Sequence, residues 1–377
     1  MKKITAITLS ILPLLQSCAT QNTFTPTAKT GADIEFSVTF TSDKQDESYS
    51  VAAGDLDLDG DNDFVIGNYG PNRVYMNNGD GSFSHNQDLE EDIKQSTYAV
   101  VLGDLNNDKY LDCIVANTND ANNVVYLNDG KGKLVLFEKL PEVMSSPSAA
   151  LGDLDNDGDL DVIFGTHQGS AVYLNNGKGH FDLLEMTQEK DVTYGIALGD
   201  IDGDRDLDFI AGNQEHYGAD NRVYKNDGRG HFTLFETIKS GDVTYAIKLA
   251  DFDQDKDPDL LVGNYGSNTI YLNDGDGHFT GFSNSQDLKR TASLAVGDIN
   301  RDGLLDYVEG NNFTKNKIFL NQGKATFSDI GKDESINIFQ RHTKTYGLAL
   351  ADFNGDGWLD IVEANYNGST MVYLRKY

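Results

Sequence analysis

Residues 54–68 read Gly54-Asp55-Leu56-Asp57-Leu58-Asp59-Gly60-Asp61-Asn62-Asp63-Phe64-Val65-Ile66-Gly67-Asn68. Aspartates alternate with other residues up to Asp63, and an unbroken apolar run follows at once. The alternation suits a tight loop that gathers carboxylates on one side. The Phe-Val-Ile run suits a short buried strand. The same grammar begins again at Asp104, Asp153, Asp200, Asp251, Asp298 and Asp352, a period of 47–54 residues. Seven copies at that period mean a repeat architecture, which overrides the two or three domains that 377 residues would suggest.

Each copy carries four short β-like segments. An apolar segment precedes the acidic loop, as in Tyr194 to Leu198, and a second follows it, as in Val162-Ile163-Phe164-Gly165. A third, such as Val172-Tyr173-Leu174, leads into an Asn-Gly turn, as in Asn226-Asp227-Gly228-Arg229-Gly230. The fourth opens with Phe83, Phe181, Phe232, Phe279 or Phe327, and with Leu134 in the second copy. No segment holds a helical period. The pattern predicts an all-β, seven-bladed β-propeller of four-stranded blades. The seventh copy reaches Tyr377 without a fourth strand, while Phe36 lies 19 residues before Asp55. Leu134, Phe181, Phe232 and Phe279 stand at that same distance before their own following loops. The last blade is therefore predicted to be closed by the N-terminal strand, Ile34–Phe40, which removes an open edge.

Counting each loop from its first aspartate, position 1 is Asp55, Asp104, Asp153, Asp200, Asp251, Asp298 and Asp352. Position 3 is Asp57, Asn106, Asp155, Asp202, Asp253, Asn300 and Asn354. Position 5 is Asp59, Asp108, Asp157, Asp204, Asp255, Asp302 and Asp356, and position 9 is Asp63, Asp112, Asp161, Asp208, Asp259, Asp306 and Asp360. Position 7 is unrestricted (Asp61, Tyr110, Asp159, Asp206, Asp257, Leu304, Trp358), which fits a backbone carbonyl ligand with its side chain turned away. Alternating oxygen donors in a tight loop suit Ca²⁺, which takes six to eight oxygens, and up to seven ions are expected. Zn²⁺ would want His or Cys. An EF-hand would need a glutamate at position 12, where five loops have Ile66, Val115, Phe164, Ala211 and Val262.

The unit Gly54–Asn68 resembles the FG-GAP/VCBS repeat, and the resemblance runs over roughly residues 33–377. It implies the calcium-bearing seven-bladed propellers of integrin α-subunits, some fungal lectins and many bacterial surface proteins. Calcium would then sit in the loop between the first and second strands, and partners mainly on the opposite face. The Phe-Gly element is only partly kept, Phe164-Gly165 being nearest. The resemblance is specific for fold and calcium and broad for function, since it spans adhesion, sugar binding and enzyme scaffolding.

Sixty acidic against 30 basic side chains give a net charge of −30, which argues against a nucleic-acid partner. At the N-terminus, Lys2 and Lys3 precede a short apolar run from Ile4 to Leu15 and then Gln16-Ser17-Cys18. Residues 1–17 read as a lipoprotein-type signal peptide, Cys18 as the lipidated residue, 18–31 as a tether and 32–377 as the propeller. The run is too short to span a bilayer, so membrane contact is expected only through the lipid. An exported chain anchored in a bacterial envelope, at the outer membrane, is the expectation. Cys113 lies in an apolar segment and is expected to be a buried, inert thiol.

Six residues before each loop stand Tyr49, Tyr98, Pro147, Tyr194, Tyr245, Ala292 and Tyr346. The five tyrosines are expected near the mouth of a central channel and, with His216 and Tyr217 of the non-repeated insertion Gln214–Asp220, are the candidate ligand residues. Asparagines that follow the second strands, such as Asn68 and Asn264, could hydrogen-bond sugar hydroxyls or close turns. His180, His231 and His278 share one repeat position and read as structural. Glu309 and Glu363 replace apolar residues in adjacent copies and are the candidates for an acid/base pair. The expected role is a calcium-binding module for a glycan or an envelope or surface protein. The alternative is a carbohydrate-active enzyme, a polysaccharide lyase or hydrolase, on the same fold.

Overall fold

The computed structural model describes residues 34–89, 96–119, 121–214, 220–239, 241–284, 290–330, 339 and 343–376. The signal and tether segments, Cys18, His216 and Tyr217 lie outside the described residues. Among those described there is no α-helix. Strand β1 (Glu35–Thr41) comes first, then β2 (Asp46–Gly54), β3 (Asp63–Asn68), β4 (Arg73–Asn77) and β5 (Phe83–Asp88). The second group is β6 (Ser96–Gly103), β7 (Asp112–Thr118), β8 (Asn122–Asn128) and β9 (Leu134–Val143). The third is β10 (Ser148–Gly152), β11 (Asp161–Thr166), β12 (Gly169–Asn175) and β13 (Phe181–Met186). The fourth is β14 (Thr193–Gly199), β15 (Asp208–Asn213), β16 (Asn221–Asn226) and β17 (Phe232–Ile238). The fifth is β18 (Thr244–Ala250), β19 (Asp259–Asn264), β20 (Thr269–Asn273) and β21 (Phe279–Asn284). The sixth is β22 (Arg290–Gly297), β23 (Asp306–Asn312), β24 (Lys317–Asn321) and β25 (Phe327–Asp329), and the last is β26 (Thr345–Ala351), β27 (Asp360–Gly368) and β28 (Met371–Lys376).

Phe83, Leu134, Phe181, Phe232, Phe279 and Phe327 open their strands, and Phe36 is the second residue of β1, which runs one residue later than the predicted Ile34–Phe40. The second to sixth groups are separate four-stranded antiparallel sheets. The first and last groups form one eight-stranded sheet, a difference from separate four-stranded units. Its cause is local. Strand β2 begins early, so Asp46 and Glu47 pair with Gly368 and Tyr366 at the overlong end of β27. Strand β1 completes the last group by pairing with β28, with Phe36 opposite Arg375 as Phe83 is opposite Asn77.

The second strand of each group is the most deeply buried, which is why it reads as a continuous apolar run rather than an alternating one. Apolar side chains pack between neighbouring sheets. Leu56, Val65 and Val74 meet Val100, Cys113 and Val115, so Cys113 is buried as expected. Phe64 and Ile66 of the first group meet Val362 and Val372 of the last. Each such side chain contributes about 1.5–3 kcal/mol when fully buried. Gly67 marks how closely the sheets approach, since a Cβ there would lie 2.8 Å from Thr97 Cγ2 of the next sheet. The innermost strands touch in sequence, β2 with β6, β6 with β10, β10 with β14, β14 with β18, β18 with β22, β22 with β26, and β26 with β2.

A hydrogen-bonded clasp repeats around the molecule. Asn128 Nδ2 donates to Leu56 O of the preceding sheet, Asn175 Nδ2 to Leu105 O and Asn226 Nδ2 to Leu154 O, at 2.7–2.8 Å. Asn273 and Asn321 do the same to Ile201 and Phe252. Asn77 Nδ2 reaches Phe353 O at 2.8 Å, from the first sheet to the last. In the seventh position stands Arg375, whose buried guanidinium lies 3.9 Å from the Trp358 ring centroid.

Candidate functional site

Each acidic loop joins a first strand to a second, and the Asn-Gly turns lie at the same end of the strands. The tight winding is held by the aspartates themselves. Gly60 N donates to Asp55 Oδ2, Asp59 N to Asp57 Oδ1 and Asp61 N to Asp59 Oδ1. The winding forces left-handed backbone at Leu58 (φ 58°), Asn107 (φ 62°) and Arg301 (φ 58°). Side chains at position 7 turn toward the neighbouring hairpin. Asp257 lies over Gly275 (φ 81°), where a Cβ would come within 2.6 Å of its Oδ2.

In four loops three carboxylates offer oxygens all within 4.8 Å of one another: Asp55, Asp57 and Asp63; Asp153, Asp155 and Asp161; Asp200, Asp202 and Asp208; and Asp251, Asp253 and Asp255. Two unit charges at 4 Å interact by about 4 kcal/mol at an effective dielectric near 20, so each trio favours a cation. Burial, and then the charge of a neighbouring aspartate, raises the pKa of Asp57, Asp155 and Asp253. The donor set is all oxygen and fits Ca²⁺. These four are the loops with aspartate at position 3. In the other three an asparagine stands there and gives its amide to position 5: Asn106 to Asp108 at 2.9 Å, Asn300 to Asp302 at 2.8 Å, Asn354 to Asp356 at 3.0 Å. Those loops relieve part of their own repulsion. In the fourth loop Lys225 Nζ sits 2.8 Å from Asp202 and holds its carboxyl below the usual range, although burial pushes the other way.

Position 9 has a second role that spacing alone did not reveal. Asp63 Oδ2 accepts from Leu56 N at 2.9 Å and Oδ1 from Asn77 N at 2.8 Å, stapling the loop to the hairpin turn. The same pair of bonds recurs at Asp112, Asp161, Asp208, Asp259, Asp306 and Asp360. Burial lifts the carboxyl of Asp63 and Asp161 to about 7 and of Asp112 and Asp259 to about 6, against the opposing pull of the backbone donors.

At the opposite end of the strands the asparagines are architectural. Asn68 Oδ1 accepts from Ser48 Oγ at 2.7 Å, and Asn264 Oδ1 from Thr244 Oγ1 at 3.0 Å. Their amides turn inward to loop carbonyls, Asn68 Nδ2 to Pro71 O and Asn264 Nδ2 to Ser267 O. His180, His231 and His278 face Glu138, Glu185 and Glu236 of the preceding sheet and form exposed cross-sheet pairs, each worth at most about 1 kcal/mol.

Glu309 and Glu363 are both buried and sit in separate inter-sheet interfaces. Glu309 Oε1 accepts from Asn268 Nδ2 at 2.6 Å. Glu363 accepts from Asn316 Nδ2 and Tyr373 Oη, both at 2.5 Å. The pair is not brought together over a common opening. Burial raises Glu363 to about 7 from an ordinary 4.5, against the pull of its hydrogen bonds. Its proton-linked stability is therefore full below pH 4.5 and lost as pH rises through 7, about 3 kcal/mol in all. Glu363→Gln is expected to flatten that part of the stability–pH curve and to raise the melting temperature at pH 8. Parallel curves for the two proteins would contradict the assignment.

The tyrosines do converge. One cavity of about 160 Å³ is lined by Tyr49, Tyr98, Pro147, Tyr194, Tyr245, Ala292 and Tyr346, one residue from every repeat, together with Gln214 and Arg290. Tyr49 stacks on Tyr98 with centroids 4.3 Å apart, and Tyr98, Tyr194 and Tyr245 follow edge to face at 6.5 and 5.9 Å. Burial raises Tyr98 and Tyr245 and pushes Tyr194 up to about 12, so the hydroxyls stay neutral. Arg290 was missed by the sequence reading. It occupies a position not shared as arginine by any other repeat, so no periodic signal marks it.

The FG-GAP-like repeat profile matches residues 55–115, 104–164, 153–211, 200–262, 251–309 and 298–363. Among curated proteins, Cartilage acidic protein 1 of Mus musculus is 41% identical over 70 residues, 19% of this chain and 10% of that protein. The Homo sapiens protein of the same name is 40% identical over 70 residues, with the same coverage. The chain thus spans about a tenth of the length of the curated relatives it matches. Among solved structures, BBS1N in complex with ARL6DN superposes with a TM-score of 0.63 at 10% identity, covering 90% of this chain and 96% of that one. An Agrocybe aegerita lectin, solved for its recognition of non-reducing terminal N-acetylglucosamine, gives a TM-score of 0.54 at 19% identity, covering 75% of this chain and 80% of that one. At these identities the superpositions bear on fold alone.

Proposed function

This chain belongs to the FG-GAP-like repeat family, and from that premise we propose that it is a calcium-loaded, seven-bladed propeller that binds glycan at a bacterial cell envelope. Support for a closed ring comes from the inner-strand contacts that return from β26 to β2 and from the Asn77–Phe353 clasp. Calcium would be held by the aspartates at positions 1, 3, 5 and 9, foremost in the four all-aspartate loops. Bound there, the ion supplies charge neutralisation and ties each loop's turns together; this reading gives it no catalytic step. Residues 1–31 carry the export and lipidation assignment, with Cys18 as the anchored residue.

The observation that carries the binding role is the convergence of one residue from every repeat on a single tyrosine-rich cavity. Ring symmetry brings this position to the axis in every repeat; what points to a ligand is that five of the seven residues there are tyrosines. Tyrosine rings offer apolar faces to pyranose C–H groups, and their hydroxyls offer hydrogen bonds. The test is retention of the calcium-saturated chain on a panel of immobilised polysaccharides, with product release followed in parallel. Specific retention that Tyr194→Ala weakens, with no new sugar ends formed, is the expected result. No retention on any saccharide defeats the glycan reading, and release of product replaces it with the enzymatic one.

A further inference from the structure

We propose that the cavity takes an acidic saccharide, with the Arg290 guanidinium pairing with the sugar carboxylate while the tyrosines hold its ring. This rests on the glycan reading and narrows it to carboxylate-bearing sugars. Arg290 opens β22 and lines the cavity. Its Nη2 donates to Tyr245 Oη at 2.7 Å, and its guanidinium stands 4.7 Å from the Tyr245 ring centroid and 5.6 Å from that of Tyr265. Its Nε is buried and has no hydrogen-bond partner among the described residues. Other arginines near this end of the strands have found acids: Arg73 pairs with Asp46 and Asp88, and Arg222 with Asp191. In a chain with twice as many acids as bases, an arginine that among the described residues is held by aromatic rings instead of a carboxylate keeps N–H donors for an incoming one.

Size points to one sugar unit. At about 160 Å³ the cavity lies below the roughly 300–1,000 Å³ of drug-sized ligand sites. The end of a glycan fits and a folded protein segment does not. The acidic loops do not oppose this at close range. The acidic loops lie at the far ends of inner strands of five to nine residues. At about 3.3 Å per residue that is roughly 16 Å or more, beyond the screening length of about 8 Å at physiological ionic strength.

The experiment is calorimetric titration of the calcium-saturated full chain with a glucuronate-terminated disaccharide and with its methyl ester, which keeps the ring and removes the charge. A hydrogen-bonded charge of this kind is worth about 1.5–3 kcal/mol, so the acid should bind at least about tenfold more tightly than the ester. Arg290→Gln should erase that difference while leaving the calcium-dependent melting temperature unchanged. Equal binding of acid and ester, or an unaffected Arg290→Gln variant, overturns the proposal while glycan binding stands. Silence toward both overturns this inference, and joined to silence on the immobilised polysaccharide panel it overturns the glycan reading as well.

Discussion

Withdrawing calcium with EDTA is expected to lower the melting temperature of the chain by tens of degrees. The four trios each place three carboxylates within 4.8 Å of one another, and removing the cations leaves them facing one another. A site held at roughly a thousand times its Kd adds about 4 kcal/mol to stability. A large single domain shifts by about 2 °C per kcal/mol, so four such sites predict a fall of roughly 30 °C. Calorimetry in Ca²⁺, in EDTA, and in EDTA followed by Mg²⁺ checks it. Calcium should restore the transition and magnesium only part of it, since Mg²⁺ keeps its waters and demands a near-ideal octahedral geometry. An unchanged transition in EDTA would remove the metal from this fold.

The second large effect is expected at position 9. Asp161→Ala removes the acceptors of Leu154 N and Asn175 N, each bonded at 2.8 Å, in a site that is fully buried. Two backbone donors are then stranded at about 1–3 kcal/mol each, for a loss of roughly 2–6 kcal/mol before any metal is considered. The measurement is the urea midpoint in EDTA, where metal binding cannot contribute. Position 3 is the control. Asp155→Asn should be neutral or stabilising in EDTA, because it imitates the amide-to-carboxylate contact already present at Asn106 and Asn300. No loss from Asp161→Ala in EDTA would mean that position 9 is only a ligand.

The loops were legible because a carboxylate at every second position has few structural uses, and because the register returned seven times. Phe36 could be placed opposite the last repeat because each fourth strand stands at a fixed distance before the next acidic loop, and it lies against Arg375 as Phe83 lies against Asn77. What stayed hidden was decided between repeats. Nothing within one copy says that Asn128 reaches the carbonyl of Leu56 in the previous sheet. Glu309 and Glu363 looked like a pair because sequence places them at one strand position in adjacent copies. The strands that carry them are separated by a full sheet interface, and each acid is bonded to an asparagine of the sheet before it. Arg290 carried no repeat signal at all, which is the usual condition of a residue kept for a single purpose.

The pairing of β1 with β28 also fixes an orientation. Glu35 lies opposite Lys376 and Thr41 opposite Met371, so the described chain begins beside the acidic loops and runs toward the tyrosine end. Anything that grips the polypeptide upstream of Glu35 would meet it at the end of the acidic loops. The aromatic mouth lies at the opposite end, away from any such grip.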